Sequence, residues 1–304
     1  MNLSGLSVVL NKIQNMCNDT ESEVVFNKDS VSLNDNISNL MKEDDHESDG
    51  ENICNGKTQC LSCMYASEGD TDETVRKYIR DPISTDDVIS SMKFVAEHNP
   101  QSVANYIYLT ILPFLKNKKV IQIQLYGIGF LDESEGFRGP FQLAIAFCLR
   151  DFFKQSFREL RMLSQEPHHF EEEKLYLRAN GVEIVETTEF SSKHFIEAST
   201  LANIRQPAFI CYMIHGLFSM YEEFLQAHWT PQLLSRIIFV VTNPLLKCFY
   251  HDQEFTSKVA QFIEFGKIEK LEFNKESPAF ECLGYATVCS ISEEMAHALV
   301  AKFP

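Results

Sequence analysis

Short apolar runs with strong β-strand character alternate with helix-forming segments through most of the chain, and this alternation limits the fold more than any other feature. Five such runs lie at residues 120–126, 160–164, 182–186, 208–213 and 236–242. Strands that are apolar on both faces and separated by helices are typical of a parallel sheet covered on both sides. With right-handed crossovers, the pattern predicts an α/β fold: a Rossmann-like, mostly parallel doubly wound sheet with helices on both faces.

Helix-capping signals place the first and last elements of this fold. Ser84 or Thr85 stands before two aspartates and then apolar residues at helical spacing, which predicts that ordered structure begins near residue 84. Asn180-Gly181 is a typical helix C-terminus after residues 170–179. Beyond the fifth strand, we expect a helix near 255–265, strands near 267–272 and 285–290, and a final helix after Ser292.

The N-terminal segment has a different composition from the rest of the chain. Of the net charge of -16, residues 1–73 contribute -11 (15 acidic residues and four lysines), which leaves -5 for the remainder. A segment this polar and acidic buries too little apolar surface to offset its ordering entropy. The sequence therefore predicts a disordered acidic tail at 1–79 and one α/β domain at 80–304.

Composition also narrows the classes of partner and the compartment. No basic patch stands out in the sequence, so we expect no direct binding to nucleic acid or to an anionic membrane. No apolar run is long enough to cross a bilayer. Nine cysteines at scattered spacing are not typical of a disulfide framework. We expect a protein of the cytoplasm or nucleus, with protein partners that bind the acidic tail; the sequence fixes no oligomeric state.

The first candidate binding feature is Gly127-Ile128-Gly129, directly after the first strand. Two glycines let the backbone turn tightly and approach a ligand closely. The dinucleotide fingerprint is incomplete, because Phe130 and the next two residues stand where a third glycine is needed. The next helix begins about ten residues later, so we expect no helix N-terminus against the turn. A ligand-binding turn and a plain strand-end turn both remain open.

Two further candidates follow other strands, at the sheet edge where open α/β folds bind ligands. Glu166-Pro167 follows the second strand, and an acid there binds ribose hydroxyls, although it lies 39 residues after Gly127 instead of the usual ~20. Met213-Ile214-His215-Gly216 follows the fourth strand, where His215 would serve as an acid, base or ligand. The alternatives are a helix-capping acid for Glu166 and a loop-holding histidine for His215.

The remaining candidates favour structural roles. Trp229, the single tryptophan, is typical of a packing anchor. Cys54, Cys60 and Cys63 have no fourth zinc ligand nearby, and we predict no metal site. The adjacent pair His168-His169 could ligate a metal or haem, but adjacent histidines on a loop are more often solvated. The chain has no Walker A loop, no Gly-x-Ser-x-Gly elbow and no kinase or zinc-protease signature.

The order of these motifs resembles the SRR-like family, named for "sensitivity to red light reduced". In that family Gly-Leu-Gly-Ser, Gln-Leu-Ala, Asp-Pro, Met-Pro-His-Cys and Asn-Trp follow one another. The resemblance covers about residues 100–290. The matching positions are Gly127-Ile128-Gly129-Phe130, Gln142-Leu143-Ala144, Glu166-Pro167, Met213-Ile214-His215-Gly216 and His228-Trp229.

The departures from the family pattern identify a divergent member. Phe130, Glu166 and His228 replace serine, aspartate and asparagine, while Ile214 and Gly216 replace proline and cysteine. These changes predict weakened or altered binding if the family's polar groups hold a ligand.

The resemblance implies a regulatory, non-enzymatic role in circadian or light-signalling input, in clock-gene expression and in control of haem biosynthesis. The alternative is a methyltransferase-like or nucleotide-dependent enzyme that uses Gly127, Gly129 and Glu166 for its cofactor and His215 near the reacting group. No cofactor is fixed: an adenosine-containing ligand stays open, as does haem bound through His215 or a cysteine.

Overall fold

The computed structural model describes residues 83–132, 137–166, 169–242 and 257–304. The predicted tail at 1–79 lies outside these residues, as do Pro167 and His168. The helices within them are α1 Thr85–Ala96, α2 Pro100–Leu115, α3 Arg138–Lys154, α4 Glu171–Ala179, α5 Lys193–Ala202, α6 Phe218–Ala227, α7 Pro231–Leu234, α8 Lys258–Phe265, α9 Pro278–Leu283 and α10 Glu293–Lys302. The strands are β1 Lys119–Tyr126, β2 Arg161–Gln165, β3 Glu183–Ile184, β4 Pro207–Met213, β5 Ile237–Thr242, β6 Lys267–Lys270 and β7 Ala286–Ser290.

The seven strands form one sheet in the order β3-β2-β1-β4-β5-β7-β6. Neighbours from β3 to β5 pair in parallel, whereas β7 runs antiparallel to both β5 and β6. The predicted mostly parallel, doubly wound α/β fold is thus confirmed. The chain leaves β1 in one direction to build β2 and β3, then returns to place β4 on its other side. The switch point therefore lies between β1 and β4, where ligands bind in such sheets.

Two buried clusters cover the two faces of the sheet. One contains side chains of α1, α2, α3, α4 and α9, and the other contains side chains of α5, α6, α7, α8 and α10. Strands β4 and β5 are apolar on both faces because each face is covered by helices. The two faces are filled by alternate residues, such as Ile210 on one side and Phe209 on the other.

Local capping chemistry sets the helix ends as predicted. Ser84 and Asp87 form a capping box at the start of α1, with the Ser84 backbone N–H donating to the Asp87 carboxylate at 2.7 Å. Asn180 caps the end of α4, and Gly181 follows with φ +74°. Helices α5, α7 and α9 were not predicted; α7 and α9 have only four and six residues, too short for a periodic pattern to identify them.

Candidate functional site

The glycine turn after β1 requires glycine at both predicted positions. Gly127 and Gly129 have φ of +59° and +78°, a backbone region that side-chain-bearing residues seldom adopt. A Cβ added at Gly127 would lie 3.8 Å from Met220 Cε and 4.0 Å from the Glu166 carboxylate oxygen Oε2. The first and second candidate features are therefore neighbours in space, at the end of the strand that borders the switch point.

Pairing between β1 and β2 explains why Glu166 reaches Gly127. Tyr126 pairs with Gln165 in parallel register, so the next residue of each strand continues side by side. Glu166 is buried, with 8 % of its surface exposed. In the sequence, Glu166 lies 39 residues after Gly127, and this separation argued against a ribose-binding role for the acid. The extra residues between Gly127 and Glu166 lie in helix α3, which has 17 residues, and in the long loop before it. They therefore do not move Glu166 away from the glycine turn.

The expectation that no helix N-terminus lies against the glycine turn is wrong. A Cβ added at Gly139, in the first turn of α3, would lie 1.9 Å from the carbonyl oxygen of Phe130 and 3.1 Å from that of Ile128. The start of α3 therefore packs directly on the turn, and only glycine permits this approach. Gly139 takes the helix-packing role of the third fingerprint glycine, which sequence spacing alone did not reveal.

A buried acid that the sequence reasoning missed fixes the loop beyond the turn. Glu173, in the first turn of α4, is fully buried and accepts hydrogen bonds from the backbone N–H of Leu131 at 2.6 Å and of Phe170 at 2.7 Å. His169 Nδ1 lies 3.4 Å from the same carboxylate, and His169 is 1 % exposed. The prediction that this histidine is solvated is wrong. One sequence signal could have identified Glu173: it is the third residue of a helix, where an acid often accepts a hydrogen bond from the backbone N–H of the capping residue.

The third candidate feature turns sharply at the end of β4. Met213 is buried, and its carbonyl accepts a hydrogen bond from the Tyr221 hydroxyl at 2.8 Å. His215 has φ +59°; its backbone N–H donates to Thr242 Oγ1, and its ring Nε2 lies 2.8 Å from the carbonyl oxygen of Cys282. These bonds connect the end of β4 to β5 and α9, which is the loop-holding role.

Packing around Gly216 explains one departure from the family pattern. A Cβ at this position would lie 2.9 Å from Met213 Cγ and 3.2 Å from Tyr221 Cζ. Those distances are shorter than ordinary carbon contacts, so the cysteine of the family pattern does not fit here without a shift of its neighbours.

The other predicted motif residues have structural surroundings. Gln142, on α3, is 3 % exposed, and its Oε1 has no hydrogen-bond partner among the described residues. Trp229 follows α6, and the length of that helix places it about 15 Å from the end of β4. Its Nε1 donates a hydrogen bond to the Phe303 carbonyl at 2.8 Å, and the Lys258 ammonium lies 4.0 Å from the centre of its ring. These contacts are those of a packing anchor.

The cysteines and histidines of the described residues include no cluster of three or more metal-binding side chains. Cys148, Cys211, Cys282 and Cys289 are buried and form no disulfide bond with one another. Burial raises the pKa of the Cys282 thiol to about 12, with Glu281 adding to the shift and Arg138 opposing it. Burial likewise raises the pKa of Cys289 to about 12 and that of Cys211 well above its usual range. The Cys54, Cys60 and Cys63 group lies outside the described part of the chain.

Comparison with known proteins adds one finding. A family model described as the SRR1 domain matches residues 93–288. That interval begins within α1, ends within β7 and contains the glycine turn, Glu166 and His215. A search of curated proteins finds no match to the chain. Within the described residues, no helix is both long and apolar enough to span a bilayer.

Proposed function

Because the chain belongs to the SRR1 domain family, we propose that it is a regulatory protein whose α/β domain binds a small ligand at the carboxyl edge of the sheet. The carboxyl edge is the edge at which the parallel strands end. The regulated processes are those that the resemblance implies: circadian or light-signalling input, clock-gene expression and haem biosynthesis. The protein acts in the cytoplasm or nucleus, and its acidic N-terminal segment binds protein partners.

The observation that carries the ligand-binding proposal is the proximity of Glu166 to Gly127. The carboxylate oxygen Oε2 lies 4.0 Å from the position of the missing Gly127 Cβ, beside the switch point of the sheet. A carboxylate accepts hydrogen bonds from two adjacent hydroxyls, and a side-chain-free residue next to it leaves space for a ring. A ribose carries two such hydroxyls, and we propose an adenosine-containing molecule as the ligand.

Charge at the carboxyl edge favours a ligand with few phosphates. Glu166 lies beside α4, which opens with three glutamates, Glu171–Glu173. The nearby cations Lys174 and Arg178 pair with Glu171 and Glu186 at 3.0 to 3.6 Å, and Arg138 is exposed at the start of α3. An edge whose acids outnumber its available cations repels a polyphosphate and suits a neutral or cationic ligand.

The contacts of His215 support regulation over catalysis. Its ring Nε2 lies 2.8 Å from the Cys282 carbonyl oxygen and its backbone N–H is bonded to Thr242. A general base needs a ring nitrogen within hydrogen-bond reach of the substrate proton, and the bond to Cys282 occupies one of the two.

A methyltransferase-like enzyme is the second candidate, and the strand order favours it. Insertion of antiparallel β7 between β5 and β6 is the arrangement of the Rossmann-like methyltransferases. An acid after β2 and a glycine turn after β1 are where such a fold binds its adenosine ligand. Fold alone does not establish the reaction, so this likeness supports the ligand class more strongly than the chemistry.

Thermal-shift titration of the full chain tests both candidates. We expect S-adenosylmethionine or S-adenosylhomocysteine to raise Tm in proportion to the logarithm of ligand concentration, and NAD, FAD, ATP and haem to have smaller effects. Glu166→Gln and Gly127→Val should abolish the shift, whereas Glu189→Gln, an exposed acid on the loop after β3, should preserve it. A thermal shift that persists in the Glu166→Gln variant would show that the ligand does not bind at this site.

Turnover separates regulation from catalysis. Conversion of S-adenosylmethionine to S-adenosylhomocysteine with an added acceptor, lost in His215→Ala, would favour the enzyme. A Soret band that develops with haem and is lost in His215→Ala would replace the adenosine ligand by haem.

A further inference from the structure

The opposite edge of the sheet gathers positive charge that is dispersed in the sequence. Seven cations lie within three residues of the start of a parallel strand. One of them, Arg161, pairs with Glu183. We name the other six the amino-edge cations: Lys116, Lys118, Lys119, Arg158, Arg205 and Arg236. They precede or begin β2, β1, β4 and β5, which are consecutive in the sheet. At about 4.8 Å between strands, they span roughly 15 Å. Because parallel strands all begin at the same edge, the topology assembles a patch that the sequence did not reveal.

Among the described residues the amino-edge cations have no ion-pair partner, a property that exposed lysines elsewhere, such as Lys93 and Lys270, share. By contrast, Arg161, Lys174, Lys267 and Lys302 each pair with a glutamate at 2.5 to 3.0 Å. Lys116, Lys119, Arg158 and Arg205 are exposed. The acids close to this edge include Glu159, Glu183 at the start of β3, which pairs with Arg161, and, at the start of α10, Glu293 and Glu294.

Electrostatic crowding around Lys118 shows that the charges are close together. Its ammonium donates to the Ser235 carbonyl, directly before Arg236. Burial lowers the pKa of Lys118, the positive charges of Lys116 and Arg236 act in the same direction, and Glu293 opposes them. Like charges that lie close together repel one another, and this repulsion is reduced when an anionic partner binds.

Exposed apolar side chains accompany the cations. Leu201, in the last turn of α5, is 76 % exposed and lies four residues before Arg205. Leu112, near the end of α2, is 39 % exposed and lies four residues before Lys116. Both helices end at the amino edge, because the strand that follows each begins there. The edge therefore combines positive charge with accessible leucines on both sides of the sheet.

We propose that the amino edge is a docking surface for an extended acidic segment of a partner protein, one in which acidic residues alternate with apolar residues. A small anion would be too short for cations spread over four strands. A continuous phosphate backbone would place negative charge against the glutamates at positions 159, 183, 293 and 294. A peptide carries its charge at intervals and supplies side chains for Leu112 and Leu201.

Fluorescence anisotropy with the full-length chain tests this proposal. The probe is a fluorescein-labelled peptide in which Asp and Glu alternate with Leu. We expect Lys119→Glu with Arg205→Glu to weaken binding about tenfold or more, because two ion pairs become repulsive contacts. The matched control is Lys93→Glu with Lys270→Glu, two exposed lysines away from this edge that change the net charge equally. It should retain most of the affinity.

Two further measurements make the outcome decisive. Leu201→Ser should weaken binding severalfold without changing its salt dependence, since it removes apolar contact only. Thermal melts of each variant establish that it folds. Equal losses in the edge variant and its charge control, or tighter binding of a duplex RNA than of the peptide at the same ionic strength, would overturn the proposal.

Discussion

The carboxylate of Glu173 accepts a hydrogen bond from the backbone N–H of Leu131, 42 residues earlier in the chain, at 2.6 Å in a fully buried position. Its second oxygen accepts from Phe170 at 2.7 Å. One side chain thus ties the segment after the glycine turn to the start of α4, directly beyond Glu166. The two halves of the candidate site depend on this acid for their relative position.

Glu173→Gln should destabilise the domain and loosen the site. The amide retains one acceptor oxygen, so one of the two buried N–H groups loses its partner, at a cost of about 1–3 kcal/mol. For a domain of this size, Tm should fall by roughly 2–10 °C. The control is Glu172→Gln, the adjacent and less buried acid in the same helical turn. Equal melting temperatures for the two variants would contradict the role assigned to Glu173.

Gly139→Ala should also destabilise the domain, although alanine is the better helix former by up to about 1 kcal/mol. The added Cβ would lie 1.9 Å from the Phe130 carbonyl oxygen, so α3 or the glycine turn must move. We expect a net loss of about 1–3 kcal/mol in urea unfolding, together with a weaker thermal shift from the proposed adenosine-containing ligand. A Gly139→Ala variant as stable as the parent would show that the glycine turn moves to accommodate the added Cβ at little cost in free energy.

Restoring the cysteine of the family pattern should be unfavourable in this chain. Gly216→Cys places a Cβ 2.9 Å from Met213 Cγ, and overpacking of this kind costs about 1–3 kcal/mol. In a Met213→Ala background the same substitution should cost less, because the nearest obstacle is gone. A double-mutant cycle of unfolding free energies measures this coupling. Additive effects would mean that Met213 does not exclude the cysteine.

His228 should make stability depend on pH below neutrality. It is fully buried, its Nδ1 lies 2.6 Å from the Phe224 carbonyl oxygen, and burial lowers its pKa below the usual 6.5. The unfolded chain therefore takes up a proton first as pH falls through about 6.5, so stability declines from there toward the folded-state pKa.

Replacing that histidine by the asparagine of the family pattern tests the source of this dependence. Between about pH 7.5 and pH 5.5, His228→Asn should lose less Tm than the parent, because asparagine does not titrate. His98→Asn is the control: His98 Nδ1 also contacts the carbonyl four residues earlier, Phe94 O at 3.0 Å, but the residue is exposed. If Tm changes with pH as steeply in His228→Asn as in the parent, the prediction is contradicted.

Much of the fold was predictable because its signals are local. The capping box of Ser84 and the Asn180-Gly181 helix end act within a few residues, and both appear where predicted. The apolar runs of β4 and β5 identify strands covered on both faces. Gln122 and Gln124 show the limit of such patterns: both are buried and bonded to each other at 2.9 Å, although alternating glutamines are typical of an exposed strand face.

The candidate site was predictable in part. Strand-end position identified Gly127 and Glu166, and their proximity follows from the pairing of β1 with β2. Gly139 was missed because its contact with the Phe130 carbonyl depends on how the intervening loop folds back, which no spacing rule predicts. Glu173 was missed because no spacing rule connects a buried acid to a loop N–H 42 residues away.

By itself, the sequence determined the class of fold, the strand ends that bear the candidate site residues and the family, since each depends on residue type and order along the chain. Only the tertiary structure decided which groups meet. The pairing of parallel strands placed Glu166 beside Gly127 at one edge, and the same pairing collected the amino-edge cations at the other. When parallel strands pair, residues that are tens of positions apart in the chain become neighbours in space. The register of that pairing cannot be inferred from the periodicity of apolar residues.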